Sequence, residues 1–147
     1  MRATGLSLIG LALLAAPAAL LSGEVEGDLK KIQGTWRFVS HEMDGKAMPK
    51  DEATKLTITF SGNKWTVRSG DKVVQAGTHK LDGSKTPGQV DAKVTEGEGK
   101  GSDMVGIYEL KGKTMKVCFD LKGKERPTSF VSKEGQFAAV IQREKKK

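Results

Sequence analysis

The sequence predicts an all-β domain, an antiparallel up-and-down barrel of about eight strands preceded by a short helical turn. Three observations point there. Glycine-centred turns recur at intervals of roughly one strand and one turn along the chain. Between them, apolar and polar residues alternate with period two, the signature of strands buried on one face only. The connections are evenly short, which leaves little room for the crossovers of a Greek-key sandwich, and an open sheet of this size would expose two edges. Closure into a barrel removes both edges.

Taken in order, residues 1–23 hold 15 of the hydrophobic residues and one charge, Arg2. Arg2, the Leu/Ala-rich run from Gly5 to Leu14 and the small residues around Pro17 read as a secretory signal, cleaved after Ala18 or after Gly23. An uncleaved membrane tether is the alternative, since the apolar run reaches Leu21. Residues 24–147 then form a single exported domain, periplasmic or secreted.

Asp28 to Gln33 carries the helical turn, with Asp28 as its N-cap. Gly34 opens the first strand, which ends at the turn Asp44-Gly45. Pro49 suits the first position of a second short helix over Lys50–Lys55. Leu56, Ile58 and Phe60 alternate with Thr57 and Thr59, and Trp65 and Val67 with their polar neighbours, across the turn Ser61-Gly62-Asn63. Further turns fall at Ser69-Gly70-Asp71 and Asp82-Gly83. Val90, Ala92 and Val94 form another half-buried strand, followed by the glycine-rich run Glu96–Asp103. Lys111-Gly112-Lys113 leads into Met115, Val117 and Phe119, and after Lys122-Gly123-Lys124 and Glu134-Gly135 the last strand covers Phe137–Gln142.

Composition bounds the function. After residue 23 only 39 of 124 residues are hydrophobic, against a net charge of +7 for the whole chain and one cysteine. A multi-span membrane protein, a disulfide scaffold and an enzyme with a separate cofactor domain are excluded. Cys118 reads as a small buried hydrophobe, or as half of an intermolecular disulfide.

Chemical motifs are few. Gly106 to Thr114 mimics a phosphate loop but has the wrong spacing and no following helix. Gly97-Glu98-Gly99-Lys100-Gly101 lacks the strand–helix unit of a dinucleotide site and reads as a loop at the barrel mouth. His41-Glu42-Met43-Asp44 lacks a second zinc-binding histidine, and with only His41 and His79 in the chain no metal site is assembled. Neither histidine falls in a nucleophile or triad context. No enzyme activity, cofactor or metal is expected, nor is a nucleic-acid partner.

Ile32-Gln33-Gly34-Thr35-Trp36 places a helical turn before a Gly-x-Trp strand opening, and Arg143 ends the last strand. This resembles lipocalins and fatty-acid-binding proteins. The resemblance implies that Gly34 and Trp36 close the barrel base and that Arg143 packs across the indole. Together with Asp44-Gly45, Gly106-Ile107-Tyr108-Glu109-Leu110-Lys111-Gly112, Lys116-Val117-Cys118-Phe119 and Arg126-Pro127-Thr128-x-Phe130, it is similar to an uncharacterised family of small lipocalin-like domains expanded in planctomycetes. That family implies a fold and no activity.

Two functions are expected. In one, a monomeric barrel binds a small lipophilic molecule among the inward-facing Phe38, Phe60, Trp65, Ile107 and Phe119, with Tyr108, Arg68 or Arg126 anchoring a polar head. In the other, a filled barrel acts as an envelope structural or interaction protein, binding a protein partner or an anionic surface through its basic face.

Overall fold

The computed structural model describes residues 27–144. The predicted signal segment and the final three lysines lie outside them. Residues 27–32 form a short helix, α1. The strands follow in order: β1 (Gly34–Met43), β2 (Lys46–Ala47), β3 (Leu56–Ser61), β4 (Lys64–Ser69), β5 (Lys72–Asp82), β6 (Gly88–Gly97), β7 (Asp103–Lys111), β8 (Thr114–Asp120) and β9 (Gln136–Arg143), with a four-residue helix, α2 (Lys50–Ala53), between β2 and β3.

Every strand from β3 onward pairs antiparallel with the next, β1 pairs with β3, and β9 returns to β1, so eight strands close into an up-and-down barrel. The closing seam runs from Trp36↔Arg143 to Met43↔Phe137, with a bulge at Val39 between Phe38 and Ser40. The dyad β2 only extends the hairpin of β1. Its turn residues Asp44 and Gly45 both have positive φ, 53° and 78°, as a two-residue hairpin matched to the twist of its strands demands.

Two local expectations differ from what is observed. Asp28 lies within α1 rather than before it, and its carboxylate is taken by a tyrosine described below. Pro49 precedes the helical residues of α2, at φ −52° and ψ 138°, as the N-cap instead of the first turn residue. Asp28 thus bonds across to the barrel wall from within the helix instead of standing before it.

The core is the barrel interior. Trp36, Phe38, Phe60, Trp65, Leu81, Val90, Val94, Met104, Tyr108, Met115 and Ile141 are buried in one cluster, and Ile32 of α1 completes it from below. A smaller cluster lies outside the wall: Ile107, Cys118 and Ala138, neighbours across β7, β8 and β9, are covered by Phe130. Phe130 belongs to the β8–β9 connection, residues 121–135, which folds back along the barrel as a strap.

Candidate functional site

The base end is sealed by side chains from both ends of the described chain. The Trp36 indole donates to Ile32 O at 2.7 Å. The Arg143 guanidinium sits 4.6 Å from the Trp36 ring centroid and donates to Gln33 O at 2.6 Å and to Lys31 O. Gly34, at φ +109°, leaves room for it, since a Cβ there would stand 3.1 Å from Arg143 Nη1. Gln33 ties the same helix to the β3–β4 turn, donating to Gly62 O and accepting from Gly62 N–H. Cation–π contact, hydrogen bonds and the plug residue Ile32 therefore act on one small helix.

Above this seal the barrel encloses a cavity of about 70 Å³. Phe38, Phe60, Trp65 and Phe119 line it as the alternation of their strands predicts, together with Ile58, Leu81, Val90, Ala92, Val117 and Ile141. Trp65 satisfies its indole N–H on Thr78 O at 3.0 Å. The one titratable lining residue is His79 of β5, 8% exposed. Neither of its ring nitrogens has a hydrogen-bond partner, and among the described residues they are the only buried side-chain nitrogens or oxygens in that position. Burial pushes the imidazole below its ordinary pKa of 6.5, so the ring is neutral at neutral pH. Phe60 meets it edge-on, at 5.5 Å and 87°.

His41, nearer the mouth, packs 4.7 Å from Phe137, and burial lowers its pKa too. Both histidines of the chain thus sit against the apolar interior. Among the described residues no three His, Cys, Asp or Glu side chains gather as metal ligands would.

Four residues expected at the ligand do not line this cavity: Ile107, Tyr108, Arg126 and Arg68. Ile107 faces outward, because Met104, Gly106, Tyr108 and Leu110 occupy the inward parity of β7, and it is buried by the strap instead. Tyr108 does point inward, but at the base, where its hydroxyl donates to Asp28 Oδ2 at 2.5 Å. Burial first, and then this carboxylate, push its phenol well above the ordinary value of 10.0; the hydroxyl is committed to α1 and is not free to hold a ligand. Arg126 lies outside the wall, donating to Val90 O at 3.2 Å, Gly106 O at 2.8 Å and Asp91 Oδ1 at 2.8 Å. Arg68 is not among the residues that line the cavity.

The strap carries its own polar network. Asp120 accepts from the backbone N–H groups of Lys124 and Glu125 at 3.0 and 2.8 Å, which hold its carboxyl below the ordinary range. Glu42 accepts from Ser132 N–H and Oγ–H at 2.8 and 2.7 Å. Arg126 through Phe130, conspicuous in the sequence, thus cover the Cys118 cluster and pin the strap to β6 and β7.

A second concavity, open to solvent and of about 490 Å³, lies beside the base, lined by Asp28, Lys31, Lys85, Thr86, Tyr108 and Glu109 among others. Exposed Lys30, Lys64, Lys111 and Lys113 stand at the same end of the barrel.

The sequence assigns His79 no role; on the folded β5 it shares the inward side with buried Gly77 and Leu81. No protein-family model matches the chain, and no curated protein matches it.

Proposed function

We propose that the chain is an exported, lipocalin-like binding module whose barrel takes up a compact, uncharged, mostly apolar molecule without transforming it. The observation that carries this reading is the 70 Å³ cavity in the middle of an otherwise close-packed barrel. Protein interiors rarely leave a void larger than a water molecule. An apolar cavity of ~150 Å³ holds a benzene ring, and one water takes up ~30 Å³ of liquid, so the guest has only a few heavy atoms. A long acyl chain does not fit. Aromatic faces of Phe38, Phe60, Trp65 and Phe119 supply dispersion contacts on several sides.

Xenon tests the reading, because it enters dry apolar cavities without hydrogen bonding. Pressurised xenon should shift the methyl resonances of Val90, Ala92, Val117 and Ile141 and leave those of exposed Val131 unmoved. Methyls that do not respond would defeat the proposal.

A second reading is favoured by the lysines at the base. Lys30, Lys31, Lys64, Lys85, Lys111 and Lys113 would hold that end of the barrel against an anionic envelope surface or an acidic partner protein. Sedimentation with anionic vesicles at low salt, lost at high salt and absent with neutral vesicles, is its expected signature.

A further inference from the structure

We infer that His79 is the recognition group of the lumen and that its ligand is a compact neutral molecule carrying a single hydroxyl group. This rests on the lumen reading above and sharpens it to a chemical class.

The argument starts from what is unpaired. The backbone N–H of His79 is used, donating to Asn63 O at 2.9 Å, but its side chain has no partner at either nitrogen. Both indoles of the interior, by contrast, are satisfied by carbonyl oxygens, at Ile32 and Thr78. Native interiors pair nearly all buried polar atoms, so an orphaned imidazole against a cavity wall calls for an explanation. The ring lines the cavity with Phe60 edge-on beside it, and rotation about χ2 is soft, since this torsion has no sharp staggered wells, so a nitrogen can turn toward a guest.

The lining then selects the partner by elimination. A carboxylate or an ammonium would enter unpaired, because no Lys, Arg, Asp or Glu lines the cavity and an isolated buried charge is prohibitively unfavourable. A water molecule needs two to four polar partners, roughly three on average, and this wall offers His79 alone. A molecule with one polar atom and an apolar remainder matches the count: one hydrogen bond to His79, and the rest of its surface against phenyl and aliphatic groups. The neutral imidazole has one donor and one acceptor nitrogen. A hydroxyl pairs with whichever nitrogen the ring presents, whereas a carbonyl pairs with only one tautomer.

The test uses two probes, xenon and 2-propanol, followed by NMR on the full domain with nitrogen-15 in the histidine rings. In the wild type, 2-propanol should move the His79 ring nitrogens and the lumen methyls with one saturating affinity. In His79→Leu, xenon should still bind while the affinity for 2-propanol falls about tenfold, the loss of one hydrogen bond. Xenon binding with unmoved His79 nitrogens, or equal 2-propanol affinity in the variant, would overturn the assignment of His79 and leave the lumen reading standing. Absence of any xenon response would remove both. The ring-nitrogen shifts are read in the wild-type protein, so the outcome does not depend on the variant folding.

Discussion

The indole of Trp65 fills the space that a side chain at Gly77 would need. The two residues face each other across β4 and β5, and a Cβ on Gly77 would stand 2.6 Å from the ring and collide with the carbonyl oxygen of Lys93. The same arrangement recurs at Gly88 beneath Tyr108 and at Gly106 beneath Phe119, each glycine paired in register with its aromatic residue and each with a Cβ position 2.5 Å from the ring. Rings lie over glycine backbone, and the barrel interior shrinks to the small cavity described.

Adding one methyl at these positions should therefore be costly. Gly77→Ala and Gly106→Ala are expected to lose about 1 to 3 kcal/mol in urea unfolding, the range for forced overpacking. Gly27→Ala is the control: among the described residues nothing lies within 4 Å of its Cβ position, and the change favours helix, so stability should hold or rise slightly.

The base seal predicts a graded response. Trp36→Ala should cost about 3 to 5 kcal/mol, as for a large buried aromatic residue. Arg143→Leu keeps the hydrophobic cover but strands the carbonyl oxygens of Lys31 and Gln33, and about 1.5 to 3 kcal/mol should go with those charged hydrogen bonds. Near-native urea midpoints for both variants would contradict the seal.

Acid should weaken the fold through the interior histidines. Burial holds His79 and His41 below 6.5 in the folded state, so the unfolded chain binds protons first. Their contribution is present above pH 6.5 and is lost as pH falls through the lowered folded values. Glu42 and Asp120, depressed below 4.5 and 3.8, add to the loss at lower pH still. His79→Leu should flatten the first part of the stability–pH curve and, by deleting an unpaired polar group, raise stability at neutral pH by about 1 to 3 kcal/mol.

Alkali acts on Tyr108, the single tyrosine of the chain, so tyrosinate absorbance reports this one group. Its phenol is raised above 10.0 by burial and by the Asp28 hydrogen bond, so its stabilising effect is complete below pH 10 and fades as pH rises toward the folded value. Native protein should resist ionisation well past pH 10. Asp28→Asn should titrate earlier, and an unchanged curve would separate Tyr108 from α1.

Cys118 reports on the strap. It is fully buried, and burial raises its thiol pKa, so a thiol reagent should label it only when the strap or the barrel opens. Arg126→Ala, which frees the strap from Val90 O, Gly106 O and Asp91, should speed labelling severalfold at nearly unchanged global stability. Equal rates would mean that the strap opens only with the barrel.

The legible parts of this chain are those where one face alone is buried. Leu56 to Phe60 and Val90 to Val94 alternate because their outer faces meet solvent, and the Trp36–Arg143 pair is visible because a distinctive tripeptide and a terminal arginine mark the two ends of one seam. Ile107 was misread for the opposite reason. The strap covers the outside of β7, so Gly106, Ile107 and Tyr108 are buried in succession, and parity no longer distinguishes lumen from wall. His79 was hidden differently: on β5 the exposed Val73 and Val74 break the alternation that would have placed it inside.

The seam between β1 and β9 has a geometric consequence for attachment. Glu144 N–H still bonds to Thr35 O at 3.0 Å, so the chain reaches and leaves the barrel side by side at the base. Residues 33 and 144 thus stand at one pole, opposite the mouth loops, the 97–101 turn among them. Labels meant to follow uptake into the lumen therefore belong at that pole, on exposed Lys30 or Lys113, a full strand length from the mouth.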